Sequence, residues 1–568
     1  MRRTKGPVLI VYKMAATLNK GTGLDKNNKY DRQLRLWGDH GQAALESSRV
    51  CLINASATGT EILKNLVLPG IGSFTIVDSC KVKGEDVGIN FFLTVDSIGK
   101  SRAQVATELL SELNEDVAGD FLEEDVDDLL EKNPSFFSTF TTVIATQLPE
   151  KTLLHLGKVL WERNIPLIVC RCYGFIGYLR MVIKEHTIVE SHPDNTHEDL
   201  RLDRPFKGLH EFCDSLDLNS MNKKDHSHTP WLVLLYKYLD IWKNMNGGKI
   251  PSTYKEKTAL KELIKEGVRR NAEGVPDDEE NFEEAIRSVN SSLHATAVPA
   301  EIQALFEDPC CLNLNTDSKN FWVMVRALKE FTENEGQGLL PLRGSIPDMT
   351  SDSERYIQLQ TVYRDQAEID ATAVAGHVHA LLHNIGREEP LNPDRTKKPG
   401  TLSDSEIRTF CRNAAFLTVL RCRSLEEEYT TETANLEELG QHILEEEEDA
   451  NSDSDDTVLY ILLRAADRFF TEYNRYPSYF DDTLDADIPK LKACLSKLLH
   501  DWGLTAGVKD DYVHEICRYG ASELHTVAAF MGGVAAQEVI KVVTGQFVPI
   551  NNTFIYNAQK QTSTTIIL

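Results

Sequence analysis

Basic residues are scarce in this chain. Its 568 residues include 61 Lys and Arg against 87 Asp and Glu, for a formal net charge of −26 and a pI near 5.1. A protein that follows a phosphate backbone presents a basic face, so nucleic acid is not expected as a partner. Long apolar runs are missing as well. No stretch reaches the ~18 consecutive residues that span a bilayer, and residues 7–12 are too few for a signal core despite their basic flank, so no membrane span is expected. The eleven cysteines are odd in number, and Cys170/Cys172 and Cys310/Cys311 stand closer than the Cys-x-x-Cys pairs of metal sites. Free thiols in a reducing compartment follow, and a cytoplasmic location, with the nucleus as a second one, is expected. The rest of the composition, 41% hydrophobic and 26% charged, is that of a globular protein of about three or four domains.

Glycine is missing where it would matter most. Residues 49–100 announce a βαβ unit: an apolar run over 49–53, a loop of small residues over 54–59, Ile62, Leu63, Leu66 and Val67 at helical spacing, then a turn and a second buried strand over 74–77 ending in Asp78. Strand, loop, helix, strand and acid are the layout of a dinucleotide or ATP site. A working loop of this kind is rich in glycine, because each missing Cβ lets backbone N–H groups and the helix N-terminus close on phosphate oxygens. Here only Gly59 remains. Taken alone, the loop fits an ordinary Rossmann-like fold that never bound a nucleotide.

The residues on either side say more. The run Gly59-Thr-Glu-Ile-Leu-Lys-Asn-Leu, followed by a Gly-containing turn, a strand and Asp78, resembles the adenylation domain of ubiquitin-like-protein activating enzymes. Active members carry G-x-G-G-x-G where this chain reads Asn54, Ala55, Ser56, Ala57, Thr58, Gly59. Cys80 stands where the family has a second acid, and Ile89-Asn90 where Arg-Gln grips phosphate. The run Ala145-Thr146-Gln147-Leu148-Pro149 lacks the magnesium-binding Asp. Asp78 and Lys100 survive. The fold class implied is α/β, a Rossmann-like ThiF-type adenylation fold in its inactive form, with a degenerate nucleotide loop.

Around this unit the organisation is expected as follows. Residues 1–24 are unpatterned, and 25–190 form the first part of the pseudo-adenylation domain, with strands and helices alternating as in a mainly parallel sheet. An acidic stretch over 116–128 reads as a solvated edge. Residues 191–500 are mostly helical and resemble the family's insertion that holds the thioester cysteine, yet no cysteine has the Pro-x-Cys-Thr context; Cys213, Cys411, Cys422 and Cys494 read as helix packing. His226 and His228 suggest a metal less well than a turn at Thr229-Pro230 that opens a helix. The run EEEEDANSDSDD at 445–456 has eight acids in twelve residues and is expected to be a disordered loop. Residues 501–568 close the domain, through a small-residue helix around Gly532 and Gly533 and a strand-like run over 547–556.

Tyr30-Asp-Arg-Gln-Leu-Arg-Leu-Trp-Gly38 matches the family's opening helix. From its residues alone it is a packing helix with solvated arginines; the resemblance implies that Arg32 reaches ATP phosphates in a partner's active site, a role that suits a permanently charged planar fork of donors. Over nearly its whole length the chain resembles the regulatory, non-catalytic subunits of the neddylation-activating enzyme. Such a chain has no catalytic residue, metal or cofactor of its own. ATP and Mg lie in a catalytic partner subunit that adenylates the cullin-modifying ubiquitin-like protein and carries its thioester. Asp348, Met349, Tyr356 and Thr361 are implied as partner contacts. The inactive half of another modifier-activating enzyme, a purely structural scaffold and a stand-alone enzyme with an unusual loop remain as alternatives.

Overall fold

The computed structural model describes residues 28–194, 198–387, 402–437, 439–440, 456–480, 482–504 and 508–568. Residues 1–24 and all but the last residue of the acidic run 445–456 lie outside them. The chain divides into two compact units: one comprises the chain up to Lys184, Cys422–Thr544 and Ile550–Leu568, the other Glu185–Arg421 and Gly545–Pro549.

There are ten strands among the described residues: β1 (Arg49–Ile53), β2 (Ser73–Val77), β3 (Ala118–Leu122), β4 (Thr142–Thr146), β5 (Leu167–Tyr173), β6 (Ile176–Val182), β7 (His186–Ile188), β8 (Thr418–Leu420), β9 (Thr553–Asn557) and β10 (Thr562–Ile566). The first unit is built on an eight-stranded sheet in the order β10-β9-β6-β5-β4-β1-β2-β3. Its half from β3 to β5 is parallel, and β6, β9 and β10 add on antiparallel. β4 and β5 are buried along their whole length, as parallel strands are when helices cover both faces. β3, inside the acidic stretch, is exposed at the sheet edge.

The helices around the sheet and along the second unit's cleft include α1 (Asp31–Ser47), α2 (Ala57–Val67), α3 (Arg102–Ser111), α4 (Glu150–Glu162), α5 (Ser353–Asn384), α6 (Asp404–Arg412), α7 (Thr457–Tyr473), α8 (Leu484–Trp502), α9 (Asp510–Tyr519) and α10 (His525–Thr544). The register pairs Leu52 with both Ile76 and Ile144, so Asn54, Asp78 and Thr146 come together at the carboxyl ends of three adjacent strands. That end of an open α/β sheet is where its ligands bind.

The two faces of the sheet are covered differently. On one, α10 crosses α2 so closely that a Cβ on Gly532 would stand 2.7 Å from the Glu61 Cβ, while Met531 fills the space beside Gly177. By length and composition α10 could cross a membrane; here Val527, Ala528, Met531, Ala535 and Val539 are buried in the unit's core. On the other face, α4, α7, α8 and α9 form one apolar cluster with Cys51, Val143, Val169 and Tyr173. A buried ion pair ties α7 to the sheet, Arg171 to Asp467 at 2.8 Å, and a second ties the short helix Leu425–Tyr429 to it, Arg180 to Glu428 at 2.7 Å.

This layer moves an expected boundary. The helical insertion was expected to run over 191–500, but the long segment of the second unit ends at Arg421, and Cys422–Thr544 belongs to the first unit. The reason is physical: α7 buries twelve of its 17 residues, and that apolar surface covers the sheet face that α2 and α10 leave open. The segment 545–549, expected in the closing part 501–568 of the domain, falls in the second unit. Among the described residues, β7–β8 is the one strand pair of that second unit, and its regular structure is otherwise helical. Its helices pack in two clusters, one around Trp231, Leu234 and Phe282, the other around Phe321, Phe331 and Phe410.

Candidate functional site

The first turn of α1 packs beside the C-terminal end of α2, at the far end of that helix from the β1–α2 loop. Tyr30 is buried, its hydroxyl donates to Asp116 Oδ2 at 3.0 Å and accepts from Asn114 Nδ2 at 3.1 Å. Gly70, at φ +86, lets the ring lie against the backbone, since a Cβ there would stand 2.7 Å from the Tyr30 hydroxyl. Gln33 Nε2 donates to the Pro69 carbonyl at 2.7 Å, and Trp37 Nε1 to Gln42 Oε1 at 3.1 Å. Gly38, at φ +66, kinks the helix just beyond. These anchors hold the turn at fixed orientation and leave Arg32 outside: its side chain is 90% exposed, and its only ionic neighbour among the described residues is Asp31 at 3.9 Å. A pair that long and that exposed contributes almost nothing.

The β1–α2 loop has the opposite character. Asn54 sits at φ +68, where glycine is the default, and is held by N–H donation to Val77 O (3.0 Å) and Nδ2 donation to Thr146 O (2.8 Å). Ser56 caps α2: its hydroxyl accepts from Gly59 N–H at 3.1 Å and lies 3.0 Å from Thr146 Oγ1. The N–H groups of Ala57 and Thr58, which would face a phosphate, donate instead to the two carboxylate oxygens of Glu523, each at 3.1 Å. Thr58 Oγ1 donates to the same carboxylate at 2.5 Å. Glu523 therefore stands where a phosphate would stand, at the positive end of the helix. Gly59, the one glycine left, is kept by packing: its Cβ would be 2.6 Å from the Asn54 carbonyl and 3.1 Å from the Leu52 methyls.

The surviving acid is likewise occupied. Asp78 is buried and accepts from the N–H groups of Ala55 and Cys80, both at 2.8 Å, and from Arg102 Nε at 2.7 Å. Burial works against the Arg102 cation, but Asp78 and Asp86 outweigh it and hold its pKa above the usual value. Asn90 Oδ1 accepts from Thr60 Oγ1 (3.1 Å), and its Nδ2 donates to Ala55 O (3.3 Å). Gln147 donates to Cys172 O at 2.8 Å. Lys100 is exposed and lies in a separate surface cleft with Lys81, Thr94 and Glu123. The structure thus brings Asn54, Ser56, Ala57, Gly59 and Asp78 together and leaves Lys100 apart. These residues do not fit a triphosphate. The two leading amides are taken, the acid is ion-paired, and Ser56 and Ala57 place side chains where the cradle needs none.

Among the expected partner contacts, Asp348 and Thr361 are exposed and Tyr356 is half-buried. Met349 is withdrawn into the apolar core of the second unit, so it offers no contact surface there. Burial pushes the thiols of Cys213 and Cys411 up to about 12 and that of Cys494 up to about 11, and raises that of Cys422. Such thiols are packing groups. His226 Nδ1 meets Glu279 at 2.6 Å inside the second unit. Reasoning from sequence missed Glu523 and Arg102. Arg102 follows directly on the Lys100-Ser101 end of the unit, but nothing local marks Glu523, 465 residues from Thr58.

The chain matches the ThiF family over residues 30–567. It is 56% identical over 543 residues to the NEDD8-activating enzyme E1 regulatory subunit of Xenopus laevis, covering 96% of this chain and 99% of that protein. The Drosophila melanogaster protein of that name is 45% identical over 546 residues (96% and 98% covered). The Saccharomyces cerevisiae one is 27% identical over 563 residues (94% and 99%).

Proposed function

The chain belongs to the ThiF family and, within it, to the family of NEDD8-activating enzyme E1 regulatory subunits, and from this premise we propose that it is the non-catalytic half of a heterodimer. In this reading a separate catalytic subunit binds ATP and Mg, adenylates the cullin-modifying ubiquitin-like protein and carries its thioester. This chain stabilises that subunit, helps hold the modifier, and binds no nucleotide itself. It works in the cytoplasm and also in the nucleus. Of the expected contacts, Asp348, Tyr356 and Thr361 are the ones that meet the partner.

The observation that carries the reading is Arg32. A cation on a turn fixed by Tyr30, Gln33 and Trp37, yet without a close partner of its own, is suited to a phosphate that arrives with another chain. Its guanidinium offers two parallel donors and cannot lose its charge. In-trans arginines of phosphoryl transfer are worth about 10³–10⁵ in rate; where the partner supplies cations of its own, a smaller effect of roughly 10–100-fold is expected. Arg32→Ala should slow ATP–pyrophosphate exchange by the reconstituted heterodimer to that extent with assembly unchanged, and Arg32→Lys should recover part of the rate. Exchange at the unmutated rate by an intact complex would reduce the chain to a scaffold.

A further inference from the structure

The second unit carries a cleft of about 490 Å³ whose charge runs against the composition of the chain. Arg343, Arg364, Arg408 and Arg412 line it, with Glu368 as the one carboxylate among its lining residues. In a chain with 87 acids to 61 basic residues, guanidinium groups ordinarily find carboxylates. Here only Arg408 does: it grips Glu368 through Nε and Nη2, the latter at 2.7 Å. Arg343, Arg364 and Arg412 have no ion pair among the described residues. Arg343 instead lies 5.3 Å over the Phe416 ring, a contact that holds the guanidinium in place without neutralising it. Two other acids beside the segment are engaged: Glu198 accepts from Ser345 Oγ at 2.9 Å, and Asp370 from Leu342 N–H (2.9 Å) and Gln366 Nε2 (2.8 Å); Asp404 acts on Arg408.

One side of the cleft is the irregular segment 342–346. Gly344, at φ +80, lets the irregular segment press against α5, where a Cβ would stand 2.8 Å from that of Ala367. The N–H and C=O groups of Arg343, Gly344 and Ile346 find no hydrogen-bond partner among the described residues. Unpaired peptide groups between three unpaired guanidiniums match a ligand that has both peptide groups and carboxylates. A single inorganic phosphate would use the arginines, leave the backbone unmatched and fill little of a cleft within the ~300–1,000 Å³ range of ligand sites.

We propose that this cleft binds an acidic peptide segment of another protein, its carboxylates on Arg343, Arg364 and Arg412 and its backbone along 343–346. The test uses the full-length protein and a fluorescein-labelled peptide of six glutamates, with binding read by fluorescence anisotropy at low salt. Because Arg364 and Arg412 are exposed and unpaired, the double variant Arg364→Glu/Arg412→Glu is expected to fold, with an unchanged melting curve. It should bind the peptide at least about tenfold more weakly. A control of the same charge change on the exposed helix Tyr254–Glu266, Lys255→Glu/Lys265→Glu, should bind as the wild type does. Peptide affinity unaffected by the cleft variant, or weakened equally by the control, would overturn the proposal. So would displacement of the peptide by inorganic phosphate at an ionic strength where chloride fails to displace it, which would mark a small-anion site.

Discussion

At the start of α1 the polar side chains divide into anchors and one exposed cation, whereas in the β1–α2 loop the amides of Ala57 and Thr58 and the side chains of Asn54, Ser56 and Thr58 are bonded within the unit. Tyr30, Gln33 and Trp37 give their hydrogen bonds to the unit's own backbone and side chains, so that Arg32 need give none. Asn54, Ser56, Ala57 and Thr58 are matched with Thr146, Gly59 and Glu523, so the two leading amides are not available to a phosphate. The two stretches lie in one compact unit and in one βαβ neighbourhood. What separates the contact proposed for Arg32 from the closed loop is therefore where the hydrogen-bonding capacity points. A buried amide must be satisfied by something, and once the phosphate is gone a carboxylate from the chain takes over.

Substitutions should expose this contrast, and the largest effect is expected in the closed loop. Gly59→Ala forces a methyl against the Asn54 carbonyl and Leu52, an overpacking of about 3 kcal/mol, read as a lower denaturation midpoint. Survival at wild-type stability would mean that the loop can relax, and would weaken the view that it is packed shut. Glu523→Ala removes a carboxylate from two amides and a hydroxyl. A loss of about 2 kcal/mol is expected, since hydrogen bonds to charged groups contribute ~1.5–3 kcal/mol but this one is partly solvated. The variant should still show no ATP binding by calorimetry, because Ser56, Ala57 and the Asp78–Arg102 pair remain. Micromolar affinity in the variant would show that Glu523 alone kept nucleotide out.

The anchors of α1 come next. Tyr30→Phe loses the bonds to Asp116 and Asn114, while Asn114 keeps its bond to Val67 O and Asp116 its pair with Lys29. About 1 kcal/mol of stability should go, and pyrophosphate exchange by the heterodimer should slow by less than Arg32→Ala slows it. If exchange were untouched, the turn would not need its anchors. The smallest effect belongs to Arg32 itself: Arg32→Ala should change stability by no more than ~0.5 kcal/mol, as at other exposed unpaired positions. A larger destabilisation would make Arg32 a folding residue and erase the comparison.

Much of this was legible beforehand. The alternation of short apolar runs with helical spacing marked β1, α2, β2, β4 and β5, because burial on both faces leaves continuous apolar strands. The missing glycines at 54, 56 and 57 already spoke against a phosphate cradle, and the motif around Arg32 singled it out among the chain's arginines. Less legible were assignments that depend on which surfaces meet. The apolar stripes of α7, α8 and α9 are visible in sequence, yet they look the same whether they cover another helix or a sheet, so the expected insertion ran on to 500 instead of ending at Arg421. Met349 was expected on a contact surface and is in the core, since one methionine in a Gly/Pro-containing segment has no periodicity to read.

By itself the sequence determined the element order, the family and the loss of the glycine loop, since propensity, periodicity and missing Cβ atoms act over a few residues. Only the tertiary structure decided what replaced the phosphate. Glu523 lies 465 residues from the amide of Thr58, and a hydrogen bond is set by a separation of about 3 Å, whatever the distance along the chain. The same holds for the Arg102–Asp78 pair and for the three unpaired arginines of the second unit, whose meaning rests on which carboxylates the fold failed to bring near them.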